Sequence, residues 1–436
     1  MNVSVAGCTA RSGILTWAQQ DIIDYVRRDP YLQAIVDTPH RPRLDDFLEA
    51  IRTVVRRHES LRTLFVEENG VPARQDVQDD VNVPVLVMSA PASDGDGEVL
   101  VSALRHRPIN TAKELSYRIG LLLDDGTVRR VAVVVSHLMV DGWGFENLLT
   151  ELLKETRAVG HGQPTPREVF QQLDQVEWES GKSGERRKDL ALAHHRSDAL
   201  LLETLRPSWG KPARPVESVH LGGMSLGLGS AQLEATARRL SVGVPSLLLA
   251  AYTTAVSAAL DIGAFLVMLH CANRFSPSRM RSVSRLKTTT TMPVTEADGT
   301  LHEVAAATRE LSLMAYQHSQ YPPGEHAQMM DEVLPGRQEG APLIVEFNDR
   351  RAIFDPAVGT SPGAGVDLTP FPDDPVVSPK PIRRASQPVL CLAIDPCLRT
   401  GGAALKVETN LLSRDMIGDF LSGIRDHLDR EFRTSR

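Results

Sequence analysis

Two kinds of hydrophobic pattern alternate along the chain. Apolar side chains recur at Leu44, Phe47, Leu48, Ile51, Val54 and Val55, a spacing that predicts a helix over 44–57 with one buried stripe. Short apolar runs at 61–66 and 81–88 follow. Runs at 115–123 and 128–135 then flank Asp124-Asp125-Gly126-Thr127, which predicts an antiparallel hairpin. Residues 136–144 are polar and glycine-containing, and 145–156 return to helical spacing with Leu148, Leu149, Leu152 and Leu153 inward. A strand therefore delivers a loop that opens a helix.

Past a glycine- and proline-rich stretch at 159–166, a polar helical segment reaching residue 205 reads as a connector. The second half repeats the vocabulary, with helices predicted at 231–240, 245–260, 301–318 and 413–432 and strands at 264–270, 343–347, 389–394 and 403–408. The fold class expected is α/β, mixed sheets with helices, in two similar lobes at 1–165 and 166–436. Residues 355–381, rich in proline and glycine, are too long for an ordinary connection and are expected to form a functional or crossing loop.

Composition changes this picture only by exclusion. Lys and Arg number 48 against 55 Asp and Glu, a net charge of −7 with the signs interspersed, which argues against a nucleic-acid partner. No apolar run approaches the length of a membrane span and the amino terminus lacks a secretory pattern, so no membrane partner is expected and the location expected is cytoplasmic. Cys8, Cys271, Cys391 and Cys397 have no ligand-like spacing and read as reduced thiols, with no metal site implied.

Candidate chemistry gathers at the hairpin exit, residues 135–144, Val-Ser-His-Leu-Met-Val-Asp-Gly-Trp-Gly. His137 follows a buried strand at its rim, and imidazole is the side chain suited to take a proton near neutral pH. Asp141 could steady the loop through a buried ion pair with an arginine, or simply cap the next helix. Gly142 lets substrate approach the backbone closely and leaves an N–H to face developing negative charge. A histidine after a strand can equally be a hydrogen-bonded rim residue.

Residues 136–142, Ser-His-Leu-Met-Val-Asp-Gly, resemble the His-His-x-x-x-Asp-Gly signature of the condensation domains of nonribosomal peptide synthetases, in the chloramphenicol-acetyltransferase-like superfamily. Residues 15–20, Leu-Thr-Trp-Ala-Gln-Gln, resemble the opening motif, and 57–65, Arg-His-Glu-Ser-Leu-Arg-Thr-Leu-Phe, the second. Two later motifs are similar to residues 315–322 and 342–348, in family order across nearly the whole chain.

The resemblance implies two chloramphenicol-acetyltransferase-like lobes in a V-shaped pseudodimer with a tunnel between them. It implies an acyltransferase with no bound cofactor, and because 436 residues leave no room for adenylation or carrier segments, the enzyme is expected to stand alone. The acyl thioester would arrive on the phosphopantetheine of a separate acyl or peptidyl carrier protein, acting in trans, and pass to an amine or hydroxyl of a small or carrier-bound acceptor. His137 takes the place of the second signature histidine, which would position or deprotonate the nucleophile or stabilise the tetrahedral intermediate. Asp141 would be a structural partner of Arg274, the first candidate, or of Arg62, the second. Ser136 stands where a first histidine is usual, a structural position, and residues 284–291 depart from the family's Asn-Thr motif.

A coenzyme A-dependent acyltransferase and a non-catalytic recruitment domain are the alternatives on the same scaffold. His194-His195 is read as helix surface. Residues 221–226, Leu-Gly-Gly-Met-Ser-Leu, imitate a phosphopantetheine attachment motif, but without a small helical bundle around it Ser225 is read as no carrier site.

Overall fold

At the hairpin turn, Asp125 and Gly126 adopt φ of 46° and 75°, the left-handed pair that a two-residue turn between twisted strands requires. The computed structural model describes residues 1–23, 31–89, 95–160, 169–204, 216–295, 297, 299–334, 343–351, 372–385, 387–397 and 400–433. The chain forms two compact units. The first comprises Met1–Arg186 with Ala272–Thr288, and the second Arg187–Cys271, Thr289–Ala352 and Leu368–Arg436.

The first unit contains strands β1 (Asn2–Val5), β2 (Arg11–Ile14), β3 (Tyr31–Asp37), β4 (Thr63–Glu68), β5 (Val71–Val77), β6 (Val81–Ser89), β7 (Tyr117–Asp124) and β8 (Thr127–Ser136). Its helices are α1 (Trp17–Gln20), α2 (Leu44–Arg57), α3 (Asp96–Leu104), α4 (Gly142–Gly160) and α5 (Gln172–Glu179). One sheet runs β1-β6-β7-β8-β3 and a smaller one β2-β5-β4. Strand β8 is covered on both faces. Val131, Val133 and Val135 enter the main core with Phe47, Ile51 and Leu148, while Ala132 and Val134 meet Leu100 and Leu104 of α3. Each such side chain contributes about 1.5–3 kcal/mol when fully buried, so the strand that ends at Ser136 is a rigid support.

The first unit extends beyond the expected break at 165. Leu173 and Val176 of α5 bury against Val77, which ties the start of the connector to the first sheet. The unit also recovers Ala272–Thr288, far along the chain, as a strap held mainly by polar contacts, with Val283 alone entering the main core cluster, so it carries no periodic signal. Helix α4 starts at Gly142, ahead of the expected 145, because Asp141 caps it.

The chain passes between units within α6 (Lys182–Thr204). The second unit is an eight-stranded sheet. Its strands are β9 (Ser218–Gly229), β10 (Phe265–Cys271), β11 (Thr288–Val294), β12 (Ile344–Asp349), β13 (Val376–Val377), β14 (Arg383–Arg384), β15 (Leu390–Cys397) and β16 (Gly402–Thr409), in the order β11-β10-β12-β15-β16-β9-β13 with β14 also on β9. Helices α7 (Ser230–Arg239), α8 (Val244–Leu260), α9 (Leu301–Gln317), α10 (Pro323–Val333) and α11 (Arg414–Arg433) belong to it. Helix α8 is apolar on nearly every face because it is buried in the core beside Phe265, Phe347 and Phe420.

Of the expected crossing loop 355–381, residues 355–371 lie outside the described residues. Its end supplies β13, which pairs with Gly222 and Gly223 of β9. Among the described residues no single helix is long and apolar enough to cross a membrane.

Candidate active site

Strand β8 ends at Ser136, and His137 stands immediately beyond it, partly exposed. Its Nδ1 lies 2.8 Å from the carbonyl oxygen of Val140. A carbonyl can only accept, so Nδ1 carries the proton and donates it, and in the neutral ring the lone pair is on Nε2. Burial, then the charge of Arg285, push His137 down to about 3, against the smaller opposing pull of the Val140 hydrogen bond. The ring is neutral at physiological pH, so its lone pair can accept a hydrogen bond or a proton, and a proton taken there is held only weakly.

Asp141, only 2% exposed, holds the loop through both of its carboxylate oxygens. Oδ1 accepts from the Gly144 N–H at 2.8 Å and Arg274 Nη2 at 2.9 Å. Oδ2 accepts from Arg274 Nη1 at 2.8 Å and from the backbone N–H groups of Leu286 and Lys287 at 2.9 and 2.8 Å. Although burial opposes it, Arg274 and these N–H groups hold Asp141 at about 2. Both readings of Asp141 are therefore realised together: it caps α4 and it pairs with an arginine, Arg274. Arg62 lies elsewhere, donating to the carbonyls of Thr9 and Gln78.

The strap 272–288 is held along its length by this helix and by α5. Trp143 Nε1 and Asn147 Nδ2 donate to Met280 O at 3.1 and 2.8 Å. Gly144 must be glycine because a Cβ there would lie 2.6 Å from Ser284 O. Arg279 donates to Gln175 Oε1 at 2.6 Å and covers the Phe170 ring at 4.1 Å.

Residues 57–65 turn out to anchor α4. Arg57 bonds Glu151 and Glu155 at 2.8 Å each, and His58 Nε2 lies 2.9 Å from Glu151. Burial opposes ionisation of Glu151, but His58 and Arg57 hold it at about 2. In residues 15–20, Thr16 and Gln19 form a reciprocal cap, and Gln19 Nε2 reaches the carbonyl of Leu138 at 3.5 Å. A cavity of about 670 Å³ in this unit, lined by Leu64, Val85, Leu104 and Tyr117 among others, includes neither His137 nor Asp141.

The sequence profile of the condensation domain family matches residues 31–331. The chain belongs to the condensation domain family. Surfactin synthase subunit 1 of Bacillus subtilis (strain 168) is 28% identical over 211 residues, 48% of this chain and 6% of that protein. The chain spans less than a tenth of the length of the curated relatives it matches. The condensation domain of the monacolin K polyketide synthase MokA superposes with a TM-score of 0.69 at 17% identity, covering 97% of this chain and 98% of that one. The X-domain from teicoplanin biosynthesis gives 0.64 at 17% identity, covering 96% and 94%. The fold is thus the chloramphenicol-acetyltransferase-like one, and the general reaction of condensation domains is acyl transfer to an amine or hydroxyl.

In this condensation domain the first signature position, Ser136, is 1% exposed and its Oγ accepts from the Leu138 N–H at 3.3 Å. Gly142 opens α4, where the first N–H groups of a helix lack intrahelical partners. Sequence reasoning missed Arg285, whose place beside His137 is set by contacts with residues 18 and 172, a separation no local motif reveals. It also misread His194-His195. His195 is 1% exposed, donates from Nε2 to His318 O at 3.1 Å and packs against Tyr321 and His326, while His194 stacks on His318 at 4.2 Å. Among the described residues no three His, Cys, Asp or Glu side chains are arranged to hold a metal ion.

Ser225 lies fully buried in β9 with its Oγ 3.7 Å from Cys397 Sγ, whereas a phosphopantetheine attachment serine must be presented to a modifying enzyme. Gly222 of the same run is required by packing, since a Cβ there would meet Ile417 Cγ2 at 2.3 Å.

Proposed function

We propose that this chain transfers an acyl group from the phosphopantetheine thioester of a separate acyl or peptidyl carrier protein to an amine or hydroxyl acceptor, forming an amide or an ester. The observation that carries this reading is the His137 ring, held neutral with its Nδ1 proton on Val140 O and its lone pair on Nε2. A nucleophile hydrogen-bonded to Nε2 attacks the thioester carbonyl, and the carbonyl oxygen becomes an oxyanion. The Gly144 N–H of the first turn of α4 is taken by Asp141, and the N–H of Gly142, at the start of the helix, is suited to face that charge. Collapse breaks the carbon–sulfur bond, and the proton taken by Nε2 passes to the departing sulfur. The carrier leaves as a thiol and the histidine is regenerated. Asp141 and Arg274, paired with each other, position the loop and move no proton.

The test is turnover of a carrier protein loaded with an acyl thioester, offered with a panel of amines and alcohols and followed by mass spectrometry. His137→Ala is expected to lower the rate by about 100-fold or more. Equal rates for the variant and the wild type would reject the assignment. Offering the same acyl group on coenzyme A tests the alternative donor, which requires comparable or faster turnover without a carrier.

A second reading, a recruitment domain without chemistry, draws on Ser136 at the first signature position. The teicoplanin X-domain, whose fold this chain shares, has been solved in complex with OxyB. That reading requires stable capture of a partner enzyme together with no turnover of any loaded carrier.

A further inference from the structure

His137 is met by a charged side chain that its own loop does not supply. Arg285, 1% exposed, is the largest of the fully buried side chains among the described residues. Its position is fixed at several points. Its backbone N–H donates to Gln172 Oε1 at 2.9 Å, its carbonyl accepts from Gln172 Nε2 at 3.1 Å, and its Nε donates to Ala18 O at 2.7 Å. So pinned, its Nη1 comes within 3.4 Å of His137 Nδ1. Guanidinium is a donor only and keeps its charge at every accessible pH. A donor cannot favour a proton on the nitrogen it faces, so the nearer Val140 O, at 2.8 Å, sets the tautomer, and a second proton on the ring would sit beside a permanent cation.

We propose that Arg285 is a positioning residue for His137, its buried guanidinium holding in the neutral form an imidazole whose tautomer is set by Val140 O. The proposal rests on the reading of His137 as the proton-handling group. The other charges facing the ring agree with it. Lys287 on the same strap also disfavours a second proton, and Asp141, which favours one, is itself neutralised by Arg274. The consequence for chemistry is that a proton accepted at Nε2 is passed on within the same turnover, and the base is ready again in mildly acidic solution.

The experiment is an NMR titration of the chain labelled with 15N-histidine, with the His137 signals assigned by their loss in His137→Gln. In the wild type the ring is expected to stay neutral, in the Nδ1–H tautomer, from pH 8 down to about 5. In Arg285→Gln, which can still donate to the Ala18 carbonyl, the titration is expected to move upward by about one pH unit or more. A wild-type ring that titrates near the ordinary histidine value overturns the proposal, and so does an unchanged titration in Arg285→Gln. Where that variant does not fold, Arg285→Met decides. An apolar side chain of similar length removes the charge beside Nδ1, so the titration is again expected to rise, and no change overturns the proposal. The titration needs no turnover. An inactive chain with a neutral His137 would reject the acyltransferase reading alone, whereas an active chain with a freely titrating ring would reject the role of Arg285 alone.

Discussion

Asp141 accepts five hydrogen bonds with two oxygens, and four of them, two from Arg274 and one each from the N–H groups of Leu286 and Lys287, come from the strap. A carboxylate this buried is stabilising only while every partner is present. Asp141→Ala leaves the Arg274 charge in the protein interior, and removing one member of a buried pair typically costs about 3–5 kcal/mol. The expected result is a drop of that size in unfolding free energy, measured by urea denaturation. A change within experimental error would mean that water replaces the carboxylate and that the strap does not depend on it. The same variant is expected to impair turnover through the position of His137, four residues back, although Asp141 carries no proton.

At the scale of elements, the loop bearing His137 is stabilised by what holds its two ends. Strand β8 fixes the entry. Helix α4 fixes the exit, and is itself fastened to the end of α2 by Arg57 and His58 on Glu151 and Glu155. Glu151→Ala removes the carboxylate shared by Arg57 and His58, so amide exchange throughout α4 is expected to accelerate, with the first turn included. Unchanged protection there would assign residues 57–65 a role other than anchoring.

These elements also show what the sequence could and could not reveal. Helix α2 was legible because Phe47, Ile51, Val54 and Val55 repeat with the helical period and are buried in that pattern. The hairpin was legible from Asp125-Gly126. Strand β9 was not, because Gly222, Gly223, Gly227 and Gly229 dilute its apolar run, although at Gly222 the glycine exists to admit α11. His137, Asp141 and Arg274 could be chosen from motif order alone. Arg285 could not, since its neighbours are distant in sequence, and His195 was misread because a polar residue on a polar helix gave no sign that aromatic rings would bury it.

For the whole molecule, stability against pH follows from which groups folding holds in the less common protonation state. Burial keeps His137 and His195 neutral, each pushed down to about 3 from an ordinary 6.5. Below 6.5 the unfolded chain binds protons at these rings that the folded chain refuses, which lowers stability as the solution is acidified. Asp141, Glu114 and Glu151, held at about 2, act with the same sign at lower pH. Glu179 acts in the opposite direction. Burial in the first unit raises it to about 8, outweighing hydrogen bonds from Gln175 and the Trp17 N–H. Between its folded value and the ordinary 4.5 the folded chain holds the extra proton, so stability grows as pH falls through about 8. Below about 4.5 that gain is complete and the histidine and aspartate contributions dominate. Stability is therefore expected to peak at roughly pH 5–7 and to fall on both sides. Urea midpoints from pH 4 to 9 check this, and Glu179→Gln, which cannot ionise, is expected to lose the decline above neutrality while keeping the acid limb. An alkaline decline that survives in Glu179→Gln would place its cause in another group.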